Sequence, residues 1–165
     1  MGQALRALVV YDSAYGNTER IAHAIAEGLG GTPIAQAIRV TDVAPSHLAG
    51  LTLLVVGSPT QRFRALPAVT AWLDALPRGQ LKGVHVAAFD TRMTEKAVTE
   101  VRVLSFFVRI FGYAADPIAD RLQKKGGSLI VPPAGFYVAD TEGPLLDGEL
   151  ERAVDWGRQL AAAAA

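Results

Sequence analysis

Apolar runs alternate with helical patterns along this chain. Leu5 to Tyr11 is almost entirely apolar and predicts a buried strand. Ile21, Ile25 and Leu29 recur at four-residue spacing, the stripe of one helix face, and Gly30-Gly31 stops that helix. Pro33 to Val43 alternates weakly and predicts a second strand. Leu51 to Val56 is a continuous apolar run, the mark of a strand buried on both faces. Pro67 to Leu76 predicts a short helix carrying Trp72, and Val84 to Phe89 a fourth strand. Asp116-Pro117 predicts a helix start, with a cap followed by a first-turn proline. Lys124-Lys125 suits the negative end of that helix, and Gly126-Gly127 closes it. Ser128 to Val131 and Phe136 to Val138 predict a last strand, interrupted at Pro132-Pro133. Leu146 to Leu160 is the final predicted helix, and the alanine tail after it is expected to fray.

Five strands alternating with helices imply an α/β fold, a doubly wound parallel sheet with helices on both faces. The length, 165 residues, suits a single domain spanning 1–165. In such sheets ligands bind at the carboxyl ends of the strands, near the point where the winding reverses. The loops Ser13–Thr18, Gly57–Arg64 and Asp90–Glu95 are therefore expected to meet over one site.

Composition removes several function classes. Lys plus Arg and Asp plus Glu each number 16, so the formal net charge is zero and nucleic acid is not an expected partner. With no cysteine there is no thiolate metal site, disulfide or thiol catalysis. His23, His47 and His85 share no ligand spacing. No signal-like or membrane-spanning run opens the sequence, and the expected location is the cytoplasm.

The chemistry concentrates in Ser13-Ala14-Tyr15-Gly16-Asn17-Thr18, between the first strand and the first helix. A tight polar loop there aims backbone N–H groups at one spot, and the helix dipole adds positive potential. Ser13, Asn17 and Thr18 add side-chain donors, and Gly16 lets the backbone approach a ligand. The loop lacks the lysine of a nucleoside-triphosphate loop and the spacing of a dinucleotide fingerprint. It suits one terminal phosphate held by neutral donors. The same residues also describe an ordinary N-capped helix, with Ser13 or Asn17 as the cap.

Taken together, the loops resemble those of the flavodoxin family. Ser13 to Thr18 is similar to its phosphate loop, and Gly57-Ser58-Pro59-Thr60 to the loop lying along the flavin ring. Phe89-Asp90-Thr91-Arg92-Met93 stands where a third loop would be. The resemblance spans the chain and implies a flavodoxin-like five-stranded parallel sheet in the order 2-1-3-4-5. It implies flavin mononucleotide (FMN) as cofactor, with its phosphate on Ser13, Ala14, Tyr15, Gly16, Asn17 and Thr18. Ser58, Pro59, Thr60, Gln61, Arg62 and Phe63, with Phe89, Asp90, Thr91 and Arg92, would surround the isoalloxazine. Asp90 would accept a hydrogen bond from a ring nitrogen, or cap the turn at Thr91.

There are departures. Gln61 replaces the tryptophan many flavodoxins carry after the second-loop proline-threonine, and Asp90 to Met93 offers no stacking tyrosine. Tyr15 and Phe63 are the nearby aromatics. Loss of stacking and the cations Arg62, Arg64 and Arg92 both favour the reduced flavin and a higher potential.

The resemblance implies an electron-transfer flavoprotein working with a redox partner protein. Its alternatives are an FMN-dependent oxidoreductase acting on a quinone, porphyrinogen or other small apolar acceptor, or a scaffold that has lost FMN. Flavodoxin-like quinone reductases share the Ser-x-Tyr-Gly loop, and flavodoxin-like protoporphyrinogen oxidases a long segment near the third loop. A response-regulator receiver does not fit, because Asp12 stands alone after the first strand and the third ends in Gly57-Ser58. Thr94 to Ala115 is longer than the fold requires and nearly apolar all round. It predicts a core helix, a homodimer contact through 101–113, or a lid beside the flavin.

Overall fold

A computed structural model describes residues 2–61, 63–94 and 112–165. Three buried strands form its centre: β1 (Ala7–Tyr11), β3 (Leu53–Pro59) and β4 (His85–Met93). β2 (Ala35–Arg39) lies outside β1, and β5 (Ser128–Leu129) outside β4. The order is β2-β1-β3-β4-β5 with every pairing parallel, as the resemblance implies.

A sixth strand, β6 (Ala134–Val138), also pairs with β4. It is the second half of the predicted last strand. β5 pairs with His85 and Val86, whereas β6 pairs with Phe89 to Met93. Pro132-Pro133 falls between them and supplies no N–H to the ladder, so the strand divides there. The predicted second strand is shorter than expected. It stops at Arg39, and Val40–Asp42 curls into a 3-10 turn.

The helices are α1 (Asn17–Gly28), α2 (Pro45–Leu48), α3 (Pro67–Ala75), α4 (Ala115–Lys124) and α5 (Glu149–Ala164). The period-two alternation of the strands sorts the core into two layers. Val9, Val55, Phe89 and Phe136 face Ile21 and Ile25 of α1 and Trp156 and Leu160 of α5. Leu8, Val10, Leu54, Val56 and Val86 face Val69 and Leu73 of α3 and Ile118 and Leu122 of α4. Trp156 closes the first layer edge-on against Phe89 and Phe136, with ring centroids 6.2 and 5.9 Å away.

Two helix ends differ from expectation. α4 starts at Ala115, so Asp116 lies within its first turn and provides no cap. α5 starts only after Gly148, and the alanine tail stays helical to Ala164, with Leu160 buried and Ala161 packed on the first layer. Among the described residues no helix is long and apolar enough to cross a membrane, and no cluster of acidic or histidine side chains is arranged for a metal ion. Residues 95–111, and with them most of the apolar segment and the homodimer contact expected at 101–113, lie outside the described residues, as does Arg62.

Candidate functional site

The first loop leaves β1 at Tyr11 and enters α1 through Gly16, whose φ is 90°. An added Cβ at Gly16 would meet nothing within 4 Å, so it is the left-handed backbone, rather than crowding within the protein, that requires glycine there. Ser13 organises the turn. Its N–H donates to Asp12 Oδ1 (2.9 Å), and its Oγ accepts from the N–H of Gly16 (3.0 Å) and of Glu19 (3.4 Å). Ser13 thus caps the helix from outside it, while its own hydroxyl hydrogen stays available. The N–H groups of Ala14, Tyr15, Asn17 and Thr18 have no acceptor among the described residues. Four backbone donors and a hydroxyl are left at the positive end of a helix, the donor set an anion needs.

Hydrogen bonds gather the other loops onto this one. Thr18 Oγ1 lies 2.8 Å from Thr91 Oγ1, and both residues are buried. This contact joins the first loop to the end of β4. The N–H of Thr60 donates to the Thr91 carbonyl (2.9 Å), which joins the second loop to the end of β4. Thr60 Oγ1 accepts from the N–H of Ala114 (3.0 Å), and Asn17 Nδ2 donates to the Glu142 carbonyl (3.1 Å). The first loop, the end of β3 with the turn after it, and the end of β4 therefore meet, and the turn after β6 joins them; Gly57–Pro59 and Asp90–Met93, expected to be loop, continue their strands because both pair in the sheet. That turn sits so close that a Cβ on Gly143 would press into the Asn17 amide.

Several predicted site residues are committed to the protein itself. Ser58 is fully buried; its hydroxyl donates to the Pro59 carbonyl (2.9 Å) and accepts from the N–H of Leu66 (2.8 Å). The Phe89 ring lies in the core over Gly57, where any side chain would collide with it. Asp90, fully buried, accepts from Arg92 Nε (2.6 Å), from the second guanidinium nitrogen (2.8 Å) and from the N–H of Ala115 (2.9 Å). Asp90 therefore caps α4, the role the sequence suggested for Asp116. Burial pushes its carboxyl above the ordinary value, and the bonds from Arg92 and Ala115 oppose that.

Tyr113 belongs to the apolar segment, whose expected role as a core helix, dimer contact or lid did not connect it to Arg92. It lies twenty-one positions beyond Arg92, yet the guanidinium of Arg92 stacks 3.7 Å above its ring. No local signal connects the two; only the return of the chain to Asp90 and Thr60 does. Tyr15 is half exposed beside the first loop. Phe63 sits in a tight turn closed by reciprocal 2.9 Å bonds between Gln61 and Arg64, at φ 66°. Its ring lines a groove of about 650 Å³ with Arg64, Pro67, Ile118 and Arg121. No residue of Ser13–Thr18 lines this groove.

The model of the family described as Flavodoxin matches residues 9–152. Among solved structures, an archaeal flavodoxin is 23% identical with a TM-score of 0.71, covering 97% of this chain and 99% of that one. A flavodoxin described as WrbA-like, from Agrobacterium tumefaciens, is 19% identical with a TM-score of 0.72, covering 97% of each chain. Rubredoxin oxygen:oxidoreductase from Desulfovibrio gigas contains the same fold at 20% identity and a TM-score of 0.68, covering 96% of this chain and 36% of that one. At these identities the structures establish a shared fold.

Proposed function

This chain belongs to the flavodoxin family, whose members bind FMN as redox proteins, and we propose that it carries electrons to and from a protein partner through FMN held at the junction of the loops. The observation supporting this reading is the donor set of the first loop. The unpaired N–H groups of Ala14, Tyr15, Asn17 and Thr18 and the hydroxyl of Ser13 match a phosphate monoester. Each hydrogen bond to a charged group contributes roughly 1.5–3 kcal/mol, so a few suffice for a dianion without a lysine. The isoalloxazine would then lie by Pro59, Thr60 and Gln61, with Tyr15 and Tyr113 as candidate aromatic walls. When bound, FMN supplies the reversible electron transfer. The chain fixes its position and limits its contact with water.

Within the site the side chains brace the loops. Thr18 and Thr91 lock the floor, Thr60 holds the start of α4, and Ser58 fixes the second loop against Leu66. Among the described residues at the loop junction no buried acid or base stands free for proton transfer: Asp90 is paired with Arg92. This suits electron transfer better than substrate chemistry.

The test is titration of cofactor-free protein with FMN and with riboflavin, followed by flavin fluorescence. FMN is expected to bind at least a hundredfold more tightly than riboflavin. Gly16→Val should abolish most of that difference, because a β-branched residue resists φ near 90°. Equal affinity for the two flavins would refute the phosphate assignment. Sustained turnover of a nicotinamide cofactor with a quinone, without a protein partner, would instead favour the oxidoreductase reading.

A further inference from the structure

Behind the phosphate loop lies a charged cluster that the FMN assignment does not use. Arg39, the last residue of β2, reaches across the end of β1. One guanidinium nitrogen donates to Asp12 Oδ1 (2.7 Å) and to the Ser13 carbonyl (3.2 Å), and the other to Glu19 Oε2 (3.3 Å). The Tyr11 hydroxyl donates to the same Glu19 oxygen (2.8 Å). Parallel pairing places Tyr11 beside Arg39, so the register of β1 and β2 delivers the guanidinium to this spot.

Both carboxylates belong to the frame of the cradle. Asp12 holds the N–H of Ser13, and Glu19 sits in the first turn of α1 with its own N–H on Ser13 Oγ. Acidic groups here assist an empty helix terminus. Toward a bound phosphate dianion they are two like charges, and Arg39 is the cation that the ion pairs bring to them.

We propose that Arg39 is a positioning residue for phosphate selectivity. It offsets part of the charge of Asp12 and Glu19 and fixes the Ser13 carbonyl, so a loop of neutral donors accepts a dianion despite its acidic frame. Arg39 acts through Ser13 and the two carboxylates, without touching the ligand. This inference rests on the FMN reading.

The experiment compares FMN and riboflavin affinities at low and high salt for the wild type, Arg39→Ala, Arg39→Lys and the triple variant Arg39→Ala/Asp12→Asn/Glu19→Gln, with thermal melts of the cofactor-free proteins. Arg39→Ala is expected to weaken FMN at least tenfold and riboflavin less than threefold, with the FMN loss shrinking at high salt. Arg39→Lys, which preserves the charge and guards against a folding defect in the alanine variant, should keep at least a third of wild-type FMN affinity. The triple variant should recover most of what Arg39→Ala loses. Equal losses for both flavins, a lysine variant as weak as the alanine one, or a triple variant without recovery would each overturn the proposal. A wild type that binds FMN no better than riboflavin would overturn the FMN reading along with it, whereas an FMN-selective wild type with an unaffected Arg39→Ala overturns this inference alone.

Discussion

Asp90→Ala is the change whose consequence the structure specifies most closely. The carboxylate is inaccessible to solvent and accepts three bonds, two from Arg92 and one from the N–H of Ala115. Its loss leaves a guanidinium, 17% exposed, without its counter-ion and a buried helix N–H without an acceptor. Removing one member of a buried ion pair costs about 3–5 kcal/mol. The stranded N–H accounts for about 1–3 kcal/mol of such a loss. Because Arg92 keeps some access to water and its stacking on Tyr113, the lower end applies, about 3 kcal/mol. The total stability of a domain is roughly 5–15 kcal/mol, so this is a large share. Urea denaturation of the cofactor-free protein, followed by far-UV circular dichroism, measures it. Arg92→Met should cost much less in the Asp90→Ala background than in the wild type, a coupling of about 2 kcal/mol. Asp90→Leu/Arg92→Met should recover much of the loss, since apolar replacements remove both charges together. An Asp90→Ala protein within about 1 kcal/mol of wild type, where ordinary substitutions fall, would refute the reasoning. So would an Arg92→Met cost unchanged between backgrounds.

The same clasp predicts that Gly135→Ala destabilises by about 1–3 kcal/mol, because the new methyl would occupy the space of the Arg92 guanidinium; chemical denaturation checks this, and a neutral result would show that Arg92 relocates freely. Phe63→Gly relieves an aromatic residue held at φ 66° but removes a ring that lines the groove, so the two effects should leave stability within about 1 kcal/mol of wild type, with the melting temperature as the readout. Glu149 gives a pH signature. Burial would raise its carboxyl, but the bonds from Arg152 and from the N–H of Tyr137 outweigh that and hold it below the ordinary value. A depressed carboxylate contributes stability above its unfolded value of 4.5, and this is lost as pH falls through the lower folded value. Melts from pH 7 down to about pH 3 should therefore show an acid-side loss that Glu149→Gln flattens.

The sheet was legible because its strands carry different patterns for different burial. Leu53 to Val56 is apolar at every position because both faces are covered, and Ile21, Ile25 and Leu29 mark one helix face. Pro132-Pro133 announced an interruption, but not that both halves would pair with β4 at separate heights, since that depends on the length of β4. The cap of α4 was misread for a definite reason. Asp116 has the sequence signature, whereas the carboxylate that caps the helix comes from Asp90, twenty-five positions before Ala115. Tyr113 was expected only as part of the apolar segment, because stacking on Arg92 leaves no trace in local pattern. The loop junction was legible as a location, from strand ends and polar loops. The side-chain roles within it were not, because they depend on which neighbour each hydroxyl reaches.

Counting cations from the sequence pointed to a high-potential flavin pressed by Arg62, Arg64 and Arg92. The geometry changes that sum. Arg92 is matched by Asp90 at 2.6 Å, so the pair presents a dipole rather than a net charge to the end of β4. Of these three arginines, Arg64 and Arg92 are among the described residues; Arg64 has no ion-pair partner there, and it stands beside the groove behind the second loop. The lift expected from Arg92 therefore falls away unless Asp90 is protonated or replaced. A similar correction applies to the phosphate side, where Asp12 and Glu19 would oppose a dianion were Arg39 not bonded to both. At one end of the proposed site Arg92 is matched by Asp90, and at the other Arg39 offsets part of the charge of Asp12 and Glu19. What remains for the ligand among the described residues is four backbone N–H groups and the Ser13 hydroxyl, on a loop that side-chain hydrogen bonds fix in place. Residue charges alone would have described a cationic site. The structure pairs two of the arginines with nearby acids, so on the proposed reading an anion would be held by oriented amides and a helix terminus rather than by a side-chain cation.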